Sequence, residues 1–87
     1  MADRDEKLNR EIEALKTLRD ELRVQMNLAG KEARDAFEAA EKTWRKLEGR
    51  MRLAGRETRA ELEELRAAAR PLAEELRHAY TKIRGLI

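Results

Sequence analysis

The 87-residue chain has no cysteine and no serine, a single proline, four glycines and three aromatic residues. Each shortage closes a class of protein. Without cysteine there is no disulfide scaffold, no thiol nucleophile and no thiolate zinc site. One Val, three Ile and four Thr are too few β-branched residues for a sheet protein. No apolar run approaches a membrane span. The opening Met1-Ala2-Asp3-Arg4-Asp5-Glu6-Lys7 lacks the apolar core of a secretory signal, so a cytoplasmic location is the default expectation. With no Ser, no Cys and no Gly-rich loop, little remains to build an active site. The expectation is a chain that is not an enzyme and takes no cofactor, metal or small-molecule substrate.

What the chain does have is helix-forming residues. Ala, Arg, Glu, Leu and Lys fill 60 of the 87 positions, well past the roughly 50% that marks a coiled coil or long helix. Charged residues make up 44%, yet 20 basic and 18 acidic side chains leave a formal net of only +2. So balanced a surface exerts little long-range pull on nucleic acid or anionic lipid. Disordered charged chains lack large aliphatics; here one falls on nearly every helical turn.

The apolar residues form a stripe. It runs Leu8, Ile12, Leu15, Leu18, Leu22, Met26, Ala29, Ala33, Phe37, Ala40, Trp44 and Leu47, then Met51, Ala54, Thr58, Leu62, Leu65, Ala69, Leu72, Leu76, Tyr80, Ile83 and Ile87. The mean step is 3.59 residues, the α-helical period, and no period-two alternation is sustained. The chain reads as all-α. A longer period lies over the short one. Met26-Asn27-Leu28-Ala29-Gly30-Lys31-Glu32-Ala33-Arg34 returns as Met51-Arg52-Leu53-Ala54-Gly55-Arg56-Glu57-Thr58-Arg59, an offset of 25 residues. Residues 1–87 thus read as one helical domain of about three and a half copies of a 25-residue amphipathic unit.

Two topologies fit this pattern. Gly30 and Gly55 stand at equivalent places and could each end a helix, giving an antiparallel three-helix bundle. Against turns there, neither glycine has Pro, Asp, Asn or Ser close behind it, and the apolar phase runs through Ala29–Ala33 and Ala54–Thr58 without a break. An interior Gly costs a long helix only about 1 kcal/mol. The preferred reading is therefore one long amphipathic helix of coiled-coil type, about 125 Å from end to end. Pro71 should kink or break it, because proline removes the bond to the Ala67 carbonyl.

A lone rod cannot bury its own stripe, so it needs a partner. The expected oligomer or partner interface is Leu15, Leu22, Met26, Phe37, Trp44, Leu47, Met51, Leu62, Leu65, Leu72, Leu76, Tyr80 and Ile83. The apolar face is narrow and flanked by Lys, Arg and Glu, as in a helix seam, whereas lipid-binding helices show a broader face. Self-association or pairing with another helical protein is thus the leading expectation, and reversible binding to a membrane surface is the alternative. A second alternative rests on residues 31–60, where nine basic face six acidic side chains. Lys42, Arg45, Arg52, Arg56 and Arg59 would share one face of a continuous helix and could track phosphates. Intervening acids and the lack of a base-reading pattern make nucleic acid the weaker partner.

Two remaining features favour bland readings. Glu75 and His78 have the Glu-x-x-His spacing of di-iron bundles, but the chain has one histidine and Glu75 lies off the apolar face. Glu38–Lys42, Glu41–Arg45 and Glu48–Arg52 are spaced as solvent-face ion pairs, acid first, worth about 0.2–0.5 kcal/mol each. In its periodicity the chain resembles coiled-coil proteins and, less closely, apolipoprotein-type and late-embryogenesis-type amphipathic repeats. That resemblance carries over no functional residue.

Overall fold

A computed structural model describes the backbone of residues 2–53 and 59–87 and the side chains of residues 7–52 and 59–87. Three helices account for nearly all of it: α1 (Ala2–Gln25), α2 (Lys31–Leu53) and α3 (Arg59–Leu86). Helix α3 packs against both others, most extensively against α2. The long dimension is 44 Å, close to the roughly 42 Å of a 28-residue helix. The continuous rod is therefore overturned in favour of the three-helix bundle. Magnitudes explain the outcome. A fully buried Leu is worth about 1.5–3 kcal/mol, and a helical hydrogen bond given up at a turn only about 1 kcal/mol net. Folding the stripe onto itself is therefore favoured over a lone rod.

The stripe becomes the core. Leu8, Leu15 and Leu22 of α1 join Phe37, Ala40, Trp44 and Leu47 of α2 and Ala69, Ala73, Leu76, Tyr80 and Ile83 of α3 in one apolar cluster. Ion pairs between Glu11 and Arg77 and between Glu21 and Arg84 ascend together along α1 and α3, so these two helices run parallel. Helix α2 runs in the opposite direction, packed mainly on α3.

The first turn lies at residues 26–30, and Gly30 takes a role there other than the expected one. No described residue has positive φ, so Gly30 does not close α1 with a left-handed cap. It instead opens α2, its carbonyl accepting the first helical bond from Arg34 N–H at 3.1 Å. The end of α1 is closed by short-range bonds, Leu28 N–H to Gln25 O and Ala29 N–H to Met26 O. The Arg34 guanidinium adds to these, donating to the carbonyls of Met26 at 3.1 Å and Asn27 at 3.4 Å. The turn chemistry thus comes from the first turn of the following helix.

Phase continuity through this turn has a packing cause: Ala29 and Ala33 are both buried beneath the bundle end. The 25-residue unit is accordingly one helix plus one junction. Its second junction, with the expected turn at Gly55, lies outside the described residues. Pro71 does not end a helix, since α3 continues from Arg59 to Leu86 around it. Pro71 and Ala67 both face solvent, where water can take up the released carbonyl.

Candidate functional site

One polar cluster joins all three helices. Arg19 of α1 reaches Glu41 of α2 through two parallel hydrogen bonds, Nε to Oε1 at 2.6 Å and Nη2 to Oε2 at 2.8 Å. The same guanidinium lies over the Trp44 ring, 5.4 Å from its centroid. Both charged side chains are largely enclosed, at 18% and 16% exposure. The hydrogen bond from Arg19 holds the Glu41 carboxyl below its ordinary pKa against the opposing effect of burial, with Arg19, Arg23 and Arg45 adding positive charge. The Arg19 pKa is raised by the same bond.

Tyr80 of α3 completes the cluster. Its hydroxyl is buried without a hydrogen-bond partner, and desolvation followed by the Glu41 charge pushes the phenol up to about 12. Such an arrangement is suited to holding helices in register. Arg19 and Glu41 have spent their charge on each other.

The expected interface residues divide by depth. Leu15, Leu22, Phe37, Trp44, Leu47, Leu76, Tyr80 and Ile83 are buried in the core of their own chain. Met26, Met51, Leu62, Leu65 and Leu72 are half-buried along its edges. Among the described residues the exposed large hydrophobic side chains lie elsewhere: Val24 is 71% and Leu28 94% exposed beside the first turn, and Leu86 and Ile87 are 38% and 52% exposed at the C-terminal end of α3. Because α1 and α3 run parallel, all four stand at the same end of the bundle.

The described residues of the basic stripe fall on two helices. Lys42, Arg45 and Arg52 are exposed on α2, and Arg59 opens α3 after the chain has reversed. Arg56 lies outside the described residues. Within the stripe, Arg52 forms the expected pair with Glu48 at 3.5 Å. Glu41 takes Arg19 across the α1–α2 seam, and Arg45 contributes only at longer range.

Glu75 and His78 are both exposed on α3. Among the described residues no three His, Asp or Glu side chains converge as metal ligands. An open groove between α1 and α3, lined by Lys7, Leu8, Glu11, Arg70, Glu74 and Arg77, mixes both signs of charge. No described helix is long and apolar enough to cross a membrane. No protein family, curated protein or solved structure matches the chain.

The Arg19–Glu41–Trp44 cluster was not anticipated from the sequence. Its signal was nonetheless present. Arg19 and Glu41 each stand eleven residues from Gly30, so a hairpin centred there sets them opposite one another.

Proposed function

We propose that this chain is a cytoplasmic, non-enzymatic structural or protein-interaction module that associates with copies of itself or with another helical protein, through the half-buried edge of its apolar stripe or through the stripe itself when the bundle opens. The observation carrying this reading is the set of half-buried apolar residues along the bundle's edges, Met26, Met51, Leu62, Leu65 and Leu72, which a partner helix would cover. Supporting it is the repeat itself, since each 25-residue unit presents a stripe complementary to the stripes of other units. Sedimentation equilibrium from micromolar to millimolar concentration tests it. Mass rising with concentration supports self-association, and a monomer throughout leaves only another helical protein as partner.

A second reading is favoured by the exposed Val24, Leu28, Leu86 and Ile87 at one end. These would insert into a lipid surface while Arg23, Lys31 and Arg84 meet anionic headgroups. Co-sedimentation with anionic and with neutral vesicles tests this reading. Binding to anionic vesicles that is lost in Leu28→Asp supports it, and no binding to either removes it.

A further inference from the structure

We propose that α1 exchanges between two copies of this chain, residues 26–30 straightening so that α1 and α2 form one helix whose α1 half fills the core of the second copy. This rests on the self-association reading above and names its mode.

The junction carries the argument. It contains no proline, and no residue in it adopts a left-handed conformation. Nothing there excludes helix. Met26, Ala29 and Ala33 keep the apolar step of three and four across it, so straightening leaves Leu22, Met26, Ala29, Ala33 and Phe37 on one face. The bent chain buries Ala29 and Ala33 beneath the bundle end, and the straight helix would bury the same two positions in its continuous stripe.

The hydrogen bonds of the bent and straight forms also substitute for one another. In the bent chain the carbonyls of Met26 and Asn27 accept from the Arg34 guanidinium. In a straight helix the same carbonyls accept from the N–H groups of Gly30 and Lys31, four residues on. Straightening therefore orphans neither carbonyl. Arg34 acts as a latch on the bend, and the backbone replaces it when the bend opens.

Register completes the case. Arg19 and Glu41 are equidistant from Gly30. Two straightened α1–α2 helices crossing antiparallel at Gly30 bring Arg19 of one copy onto Glu41 of the other. The contacts of α1 with the bundle are then remade between chains, and the two states differ only at the hinge. That is the condition under which exchange costs little. The straight segment Ala2–Leu53 would measure about 78 Å, against 44 Å for the whole bent molecule.

The absence of native cysteine gives a clean test. Glu11→Cys and Arg77→Cys are introduced together at an α1–α3 ion pair. The dimer fraction is isolated by size exclusion, treated with a short bismaleimide and run on a denaturing gel. Exchange yields covalent dimer, whereas dimers of bent chains yield cross-linked monomer. The second result overturns exchange and leaves self-association standing; absence of any dimer at millimolar concentration overturns both.

Hinge variants give an independent readout. Gly30→Ala fits the bent chain, where an added Cβ meets no atom within 4 Å, and it favours the straight helix in both copies. It should tighten dimerisation about thirtyfold. Lys31→Pro suits the first position of α2 in the bent chain but interrupts the straight helix. It should weaken dimerisation more than about a thousandfold while leaving monomer helicity intact. Equal dimerisation of the two variants would overturn the proposal.

Discussion

Helices α1 and α3 share a period and a direction but are held differently. In α3 the buried positions Ala69, Ala73, Leu76, Tyr80 and Ile83 follow steps of four and three, two contacts for every two turns. Among the described side chains of α1 only every seventh is buried, Leu8, Leu15 and Leu22, with Ile12 and Leu18 half-covered between them. Helix α1 adds polar attachments, Arg19 to Glu41 and the pairs Glu11–Arg77 and Glu21–Arg84. The teaching is one of graded commitment. One helix is inseparable from the core, and the other rests on it by a narrow ridge of leucines and a few charges.

Core substitutions separate the two helices most. Leu76→Ala, at 0% exposure in α3, should cost about 3–5 kcal/mol and remove the cooperative thermal transition of all three helices. Leu15→Ala in α1 should cost about 2–3 kcal/mol, with α1 amides exchanging hydrogen ahead of those in α3. Uniform exchange across both helices would erase the distinction.

Next in size is Arg19→Ala, which strands the Glu41 carboxylate and uncovers Trp44. A loss of about 2–3 kcal/mol is expected by urea denaturation. Arg19→Lys should recover less than half of it, because an ammonium cannot make the paired contact. The same bond sets the acid limb of stability. The Glu41 pKa is lowered on folding, so its contribution is complete above the ordinary carboxyl pKa and is lost as pH falls through the lowered value. Acid titration followed by circular dichroism should show a smaller loss in Glu41→Gln than in the parent.

Smaller still, and opposite in sign, is Tyr80→Phe. Removing a buried hydroxyl that has no partner should stabilise the bundle by about 1 kcal/mol, seen as a higher melting temperature. The Tyr80 pKa is raised on folding, so the parent is fully stable below the ordinary phenol pKa and loses stability as pH climbs towards about 12. Tyr80→Phe should lack that alkaline loss. Smallest is Arg84→Ala. Its exposed pair with Glu21, at 3.5 Å, should be worth less than about 1 kcal/mol and should fade with added salt.

Much of this was legible in the residues. Helical class, the identity of the buried face and the Glu48–Arg52 pair all follow from spacing. Topology did not, for a physical reason. A stripe whose phase persists through Ala29 and Ala33 looks the same whether it faces a second chain or folds back on its own. The turn residues that would have decided the matter are absent, because Arg34 closes α1 from the helix that follows. The Arg19–Glu41 contact was hidden by the same ambiguity, since it exists only once the hairpin centre is known. Local spacing instead pointed Glu41 to Arg45, a solvent-face pairing that loses to a better enclosed partner across the seam.

The chain has one tryptophan, and it sits under the α1 guanidinium. That position makes the molecule its own optical probe. When α1 lifts away, the indole gains water and its emission moves to the red, while far-ultraviolet dichroism still reports helix in α2 and α3. The delay between those two signals, read on unlabelled protein in a stopped-flow cell, would measure how long the remaining helical pair survives alone.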